Sequence, residues 1–410
     1  MQVCILGAGI VGLAAAYELH QAGHQVTVVD KASHAGSGTS MGNGAQLSYS
    51  YVQPLADPGI WKQLPKLLFS SDSPLKFRLQ ADPQQWKWGL AFLGACNADR
   101  SAASTRTLLQ LAAVSRQRFE AMQTQVGGDW DYSSTGKLVL YPSDAAVQSA
   151  RQQLDVQSQL GSAPQRIVSP DEAVALEPAL AAYRSQFAGA VHTPSECAAD
   201  CYQVCRQLED WLRQKGVKFI MDTPIQRLRR EGGKIVALET AQGDIEAEHF
   251  IVALGVESVA LCKPLGVDLP VYPLKGYSIT LDVAAAGHKA PTVSITDSAR
   301  KVVFARIGQR LRVAGMVELV GHDLRIPQDK IQSLCASTEA VFPGCSDYVT
   351  VQPWAGLRPA TPTAVPIAQS AGASNLWINT GHGALGFTLA FGTAAQLAYD
   401  IGQTLSLIHI

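Results

Sequence analysis

Gly7, Gly9 and Gly12 stand in the pattern GxGxxG, and Asp30 follows 18 residues after the last of them. Those residue types at that spacing suit the cradling of a dinucleotide. Gly7 permits a tight turn, Gly9 lets the backbone approach a pyrophosphate, and Gly12 lets a helix pack closely on a strand. The anion would rest on a helix N-terminus, where free N–H groups and the helix dipole favour negative charge. Asp30 is placed to accept a hydrogen bond from a ribose hydroxyl, and an acid there disfavours a 2′-phosphate. Eight residues later begins a second region able to do chemistry, within the Gly/Ser/Thr/Asn-rich stretch 33–46 (SHAGSGTSMGNGAQ). Its backbone N–H groups and hydroxyls suit a second phosphate contact and the edge of a flavin. A nicotinamide-binding domain would more usually enter its next helix or strand here, so FAD is favoured over NAD.

The elements needed to position these groups are legible. Gln2–Leu6 (QVCIL) is β-prone, residues 13–19 (LAAAYEL) are strong helix formers, and Gln25–Val29 (QVTVV) reads as a second strand. Together they make a βαβ unit. Further strands are expected at 218–221, 235–240 and 250–253, with a hairpin turn at 231–234. Val204, Leu208, Trp211 and Leu212 give 198–215 a helical apolar face. Cys197, Cys201 and Cys205, spaced by four, are expected on one helix face as small packed hydrophobes; no metal site is expected. Residues 277–283, Val302–Ile307 and 311–317 alternate as antiparallel strands do, with a turn at Gly308-Gln309. Residues 101–125 and 143–159 read as helices covering that sheet.

Five patches of the chain resemble the D-amino-acid oxidase-like flavoproteins, most closely the bacterial D-amino-acid dehydrogenase small-subunit type. In chain order they are 38–46 (GTSMGNGAQ), 189–194 (GAVHTP) with Asp200-Cys201, 273–278 (PLKGYS), 356–362 (GLRPATP) and 379–388 (NTGHGALGFT). Two departures touch the expected substrate preference: Thr363-Ala364 replaces an acidic-glycine pair, and 195–199 (SECAA) alters the central motif. The resemblance implies an α/β fold: a Rossmann-like FAD-binding domain interleaved with an α+β substrate domain built on an antiparallel sheet. The first would comprise 1–74, 186–264 and 346–410, the second 75–185 and 265–345.

The resemblance also implies the reaction, oxidation of an α-amino acid to an imine by hydride transfer from Cα to flavin N5. Hydrolysis then yields a 2-oxo acid and ammonia. Arg358 would grip the substrate carboxylate through two parallel hydrogen bonds. Tyr277 would donate to the same carboxylate, and no side-chain base is required. Non-covalent FAD would be held by Gly7, Gly9, Ile10, Val11, Gly12, Asp30 and Lys31. The loop would add Ser40, Asn43, Gly44, Ala45 and Gln46, and the middle of the chain Ile225 and Gly255. The last motif would add Gly381, His382, Gly383, Leu385 and Gly386, bringing a helix N-terminus to the flavin. Arg306 and residues 310–312 match the family's hairpin region; for Arg306 a solvated strand face is favoured over pocket lining.

Other readings stay open at this point: a glycine, sarcosine or cyclic imino-acid oxidase using O2, a non-catalytic flavin-binding assembly factor, and an NAD-dependent dehydrogenase. Stereochemistry and oligomeric state are not encoded in any motif. The dehydrogenase resemblance implies a quinone-type electron acceptor and peripheral contact with the cytoplasmic face of the inner membrane. The apolar cluster of Trp61, Leu64, Leu67, Leu68 and Phe69 reads chiefly as core, otherwise as a lid or membrane-facing element.

Composition bounds these readings. Among 410 residues, Lys plus Arg number 33 and Asp plus Glu 34, so no basic excess points to nucleic acid or a polybasic membrane surface. Apolar residues at 47% and charged residues at 16% exclude disorder. Eight cysteines without a CxxC are expected as reduced thiols of a cytoplasmic protein. No basic segment precedes the apolar run 5–16, so no secretory leader is expected. The tail 405–410 (LSLIHI) is given no functional weight.

Overall fold

The structure is a computed structural model; it describes residues 1–52, 54–61, 75–78 and 80–408. Two sheets organise the chain. The first has six strands in the order Ile367–Ser370, Leu376–Thr380, His249–Val252, Gln2–Leu6, Gln25–Val29 and Lys218–Ile220. All neighbours are parallel except the antiparallel edge strand Ile367–Ser370. Val3, Ile5, Val26 and Val28 bury one face of this sheet against helices Ile10–Gln21, Cys201–Gln214 and Gly386–Ile408. Cys4, Leu6, Phe250 and Val252 bury the other face in a cluster with Leu228, Ile235 and Leu238 of a three-stranded antiparallel sheet. Burial on both faces is why these strands read as continuous apolar runs.

The second sheet has nine strands. Its main path runs Val351–Ala360, Tyr272–Asp282, Arg310–Leu319, Val302–Ile307, Ser294–Asp297, Lys137–Tyr141, Gly189–Thr193 and Arg166–Val168, and Leu75–Phe77 pairs beside Arg310–Leu319. The expected hairpin is present: Ile307 pairs with Arg310 around Gly308, whose φ is 59°.

Gly189–Thr193 and Val351–Ala360 pair into the second sheet. Several expectations are corrected. Helix Ala98–Val126, expected to cover the antiparallel sheet, instead places Leu108, Ala112, Phe119 and Met122 in the same cluster as Leu13 and Phe391. Its apolar stripe marks it as amphipathic without naming its partner. Cys197 lies in a two-residue strand, Cys197–Ala198, and only Cys201 and Cys205 share the helix Cys201–Gln214. Asp200 is that helix's N-cap, accepting from Tyr202 N at 3.0 Å, so the helix begins three residues later than its apolar pattern suggests. All eight cysteines are unpaired thiols, and no metal-holding group of His, Cys, Asp or Glu occurs among the described residues. Leu64, Leu67, Leu68 and Phe69 lie outside the described residues, as do the tail's last two residues and the side chains of the whole tail 405–410. Trp61 is half exposed and donates from Nε1 to the Cys96 carbonyl at 3.0 Å.

Candidate active site

The glycine turn is built by contact. A Cβ on Gly12 would lie 1.9 Å from the Gly7 carbonyl oxygen, and one on Gly7 would lie 2.6 Å from that of Ala253. Only bare backbone permits helix Ile10–Gln21 to sit this close to the strand ends. Gly9 caps the helix without a side chain, and Ile10 N–H donates to Ser40 Oγ at 3.1 Å, leaving the Ser40 proton available to an anion. Asp30 Oδ2 accepts from Ala8 N at 2.7 Å and Oδ1 from Ala32 N at 2.8 Å. Each oxygen keeps a further lone pair for a ribose hydroxyl. Lys31 pairs with Glu257 at the surface.

The loop that follows is clamped onto the second sheet. Arg312 is buried, donating from Nη1 to the Asn43 carbonyl at 2.8 Å and from Nε to Thr280 Oγ1 at 2.9 Å. Ser278 Oγ donates to the Gly42 carbonyl at 2.7 Å, and a Cβ on Gly42 would strike the Trp354 ring at 2.2 Å. Gln46 Nε2 donates to the Ile295 and Phe304 carbonyls at 3.2 and 3.1 Å. Asn43 Oδ1 accepts from Ala45 N at 2.9 Å, which supports the left-handed φ of 60° at Ala45. Arg310, on the same strand, donates to Asp131 and Asp200 at 2.7 and 2.8 Å. Arg306 is half exposed and donates to the Gly308 carbonyl at 3.1 Å.

Arg358 lies across Gly276 of the neighbouring strand: a Cβ there would fall 2.2 Å from Nη2. Its Nη1 donates to the Met316 carbonyl at 3.1 Å, and no carboxylate among the described residues pairs with it. Burial lowers its pKa to about 10, which still leaves a cation at neutral pH. Tyr277 borders the cavity, with its hydroxyl engaged by a protein partner. Neighbouring strand residues alternate faces, and the flanking Gly276 and Ser278 look toward Arg358 and Gly42. The Tyr277 side chain belongs to the apolar cluster that holds Ile279, Val313 and Leu334, and its hydroxyl donates to Glu318 Oε2 at 2.6 Å. The proton expected for a substrate carboxylate is thus already engaged.

The closing motif supplies the remaining wall. His382 is buried, with Nε2 3.0 Å from Thr393 Oγ1, and burial alone depresses its pKa to about 3, so the ring is neutral. A Cβ on Gly381 would lie 2.6 Å from Thr361 Cγ2, so this glycine admits the turn. All these elements surround one cavity of about 1550 Å³. That exceeds the roughly 300–1,000 Å³ of an ordinary small-ligand pocket and leaves room for a dinucleotide beside a small substrate. Of the site residues singled out from sequence, all but Gly12 and Gly381 border it. Sequence reading missed Lys137, Ser48 and Tyr51, which also border it, as does Asn379 of the closing motif. For Lys137 a signal existed, a charge opening the apolar run KLVLY.

The family model for FAD dependent oxidoreductases matches residues 2–400. The chain belongs to that family. Over 407 residues it is 46% identical to "D-amino acid dehydrogenase 2" of Ralstonia nicotianae, covering 97% of this chain and 96% of that protein. It is 43% identical over 404 residues to the protein of the same name in Pseudomonas aeruginosa, covering 98% and 95%. Among solved structures, L-proline dehydrogenase from P. horikoshii superposes with a TM-score of 0.75 at 18% identity, over 98% of this chain and 93% of that one. Glycine oxidase from Bacillus cereus gives 0.74 at 19%, over 98% and 95%. At such identities the structures share the fold.

The cavity suits the family's FAD. Asn379 Oδ1 and Nδ2 and His382 Nδ1 are buried without a protein partner, and both residues border the cavity. Buried polar groups rarely stay unpaired in a native protein, so they mark a polar ligand. Asp30 and Ile225 would hold the adenosine half, and Gly9 and Ser40 the pyrophosphate. Beyond them, the loop at Asn43–Gln46 and the turn at His382–Gly386 would hold the flavin.

Proposed function

We propose that this enzyme deaminates D-amino acids oxidatively and passes the electrons to a quinone-type acceptor. The observation that carries the reading is the buried, carboxylate-free Arg358 guanidinium at the cavity wall, in a chain 46% identical to a D-amino acid dehydrogenase. Bound FAD supplies the hydride acceptor. The chain supplies orientation. Arg358 grips the substrate carboxylate by its fork, while Gly276 leaves space for the guanidinium and the Met316 carbonyl fixes its plane. Tyr277 serves as wall and strand anchor through Glu318, which also pairs with Lys330 at 2.9 Å. The N-terminus of helix Gly386–Ile408 contributes positive potential where negative charge develops.

We assign to the same reading the interleaved division into cofactor and substrate domains, a cytoplasmic location and peripheral membrane contact. No helix among the described residues is long and apolar enough to cross a membrane. Exposed Trp86 and Leu90, four apart on helix Pro83–Ala95, support surface contact, as does half-exposed Trp61. The test is anaerobic. Single D- and L-amino acids are added to the purified flavoprotein, followed by O2 or a quinone analogue. Bleaching by D-isomers with reoxidation by the quinone is expected. Bleaching by L-isomers alone, or reoxidation by O2 alone, would overturn the reading.

A further inference from the structure

The cavity contains a second buried cation that the reaction described above does not use. Lys137 opens the strand Lys137–Tyr141 and is 2% exposed. Its ammonium donates to Ser48 Oγ at 2.8 Å and lies 4.4 Å from the centroid of the Tyr51 ring. All three residues border the cavity. No carboxylate among the described residues lies within ion-pair distance of it. The nearby buried Glu196 uses Oε1 to accept from Ser50 N at 2.7 Å, and its Oε2 has no partner. Burial pushes the Lys137 pKa down to about 8 and raises that of Glu196. Burial is the larger cause of each shift, and the two charges, near each other but not bonded, offset it only in part. An apolar side chain would fill this position at lower desolvation cost, so the charge calls for a reason beyond packing.

Its neighbours supply one. Ser48 N–H donates to Thr388 Oγ1 at 3.2 Å, and Thr388 lies in the first turn of helix Gly386–Ile408. Lys137 is therefore tied through Ser48 to the first turn of that helix, and Ser48 follows the loop 43–46 by two residues. The loop 43–46 and the turn at His382–Gly386 are the elements assigned above to the flavin, so in that assignment Lys137 stands on the flavin's side of the cavity.

We propose that Lys137 is the fixed positive charge at the flavin end of the cavity, and that it sets how readily bound FAD takes up electrons. This rests on the FAD-dependent reading above. The two electrons and one proton of a substrate hydride, added to a neutral flavin, leave one negative charge on it. The substrate departs correspondingly oxidised. An unpaired ammonium in a water-poor wall favours that charge, adding to the helix terminus. Lys137 is thus a tuning residue that acts through electrostatics.

The test uses the FAD-loaded protein and the variants Lys137→Gln, Lys137→Met and Lys137→Arg, each reconstituted with added FAD. Two readouts are independent of turnover: the dissociation constant for sulfite, an anion that adds to flavin and bleaches it, and the flavin midpoint potential. Lys137→Gln can still hydrogen-bond to Ser48 but has no charge, so it separates electrostatics from packing. Gln and Met are expected to weaken sulfite about tenfold or more and to lower the midpoint by about 30 mV per tenfold change in the two-electron equilibrium. Arg is expected to stay near wild type. Unchanged sulfite affinity and potential in flavin-loaded Gln and Met variants would overturn the proposal. So would unchanged potential with selective loss of turnover on acidic D-amino acids, since Lys137 would then be a substrate ligand. Failure of the variants to hold FAD would reduce it to a structural support and equally overturn the proposal. If D-amino acids fail to bleach the wild-type flavin, the FAD-dependent deamination reading fails instead. Bleaching in every variant with unaltered potential refutes the Lys137 role alone.

Discussion

Arg358 and His382 show how burial turns two basic residues to opposite ends. Burial lowers the pKa of each, but Arg358 at about 10 remains a cation while His382 at about 3 stays neutral throughout the physiological range. Arg358→Lys removes the planar fork and keeps only a point charge. It is expected to lower kcat/KM by on the order of 10²-fold, chiefly through KM, with FAD content unchanged. Steady-state dye reduction with D-alanine checks this, and a change below threefold would remove Arg358 from substrate binding. For His382 the folded pKa lies below the ordinary value of 6.5, so between about 3 and 6.5 the unfolded chain binds more protons than the native one. This contribution to stability is complete above pH 6.5 and is lost as pH falls toward 3. Urea unfolding at pH 7 and pH 4.5 is expected to show destabilisation in acid, with a smaller difference in His382→Gln. An equal difference in both proteins would place the acid sensitivity elsewhere.

At the scale of elements, the βαβ unit depends on a single interatomic gap. The Gly12 Cβ position lies 1.9 Å from the Gly7 carbonyl, and backbone on both sides leaves no flexible side chain to yield. Gly12→Ala is expected to push helix Ile10–Gln21 off the strand ends and to abolish retention of FAD. The flavin-to-protein absorbance ratio after purification measures this, and a normal ratio would show that the turn relaxes. This gap was readable from the sequence, because GxGxxG between a strand and a helix has one common geometric solution. Tyr277 was not. The motif KGYS marks a strand beside the site, but alternation along that strand decides the face. The bulge where Lys275 pairs with Glu318 and Tyr277 with Gly315 sets which partner the hydroxyl meets.

Across the whole molecule, the cavity draws walls from both sheets, so ligand binding couples them. FAD at 100 times its dissociation constant would add about 2.7 kcal/mol to the native state. Removing it is expected to lower the unfolding temperature by several degrees, with recovery that follows added FAD. Scanning fluorimetry of stripped and reconstituted protein would show this, and identical transitions would mean that the cofactor does not bridge the two sheets.

The sequence by itself determined the dinucleotide turn, the Gly/Ser/Thr/Asn-rich loop and the family's motif order. Each depends on residue types close together in the chain, where turn geometry and hydrogen-bonding capacity are local properties. Tertiary structure alone decided that helix Ala98–Val126 packs beside Gly386–Ile408, that Gly189–Thr193 and Val351–Ala360 join the nine-stranded sheet, and that Arg312 clamps the loop. It also decided that Lys137 meets Ser48, 89 residues away in sequence. Burial, strand register and the partner of a charge depend on distant segments meeting. An apolar stripe or a lone Lys has the same local pattern whichever surface it finally meets.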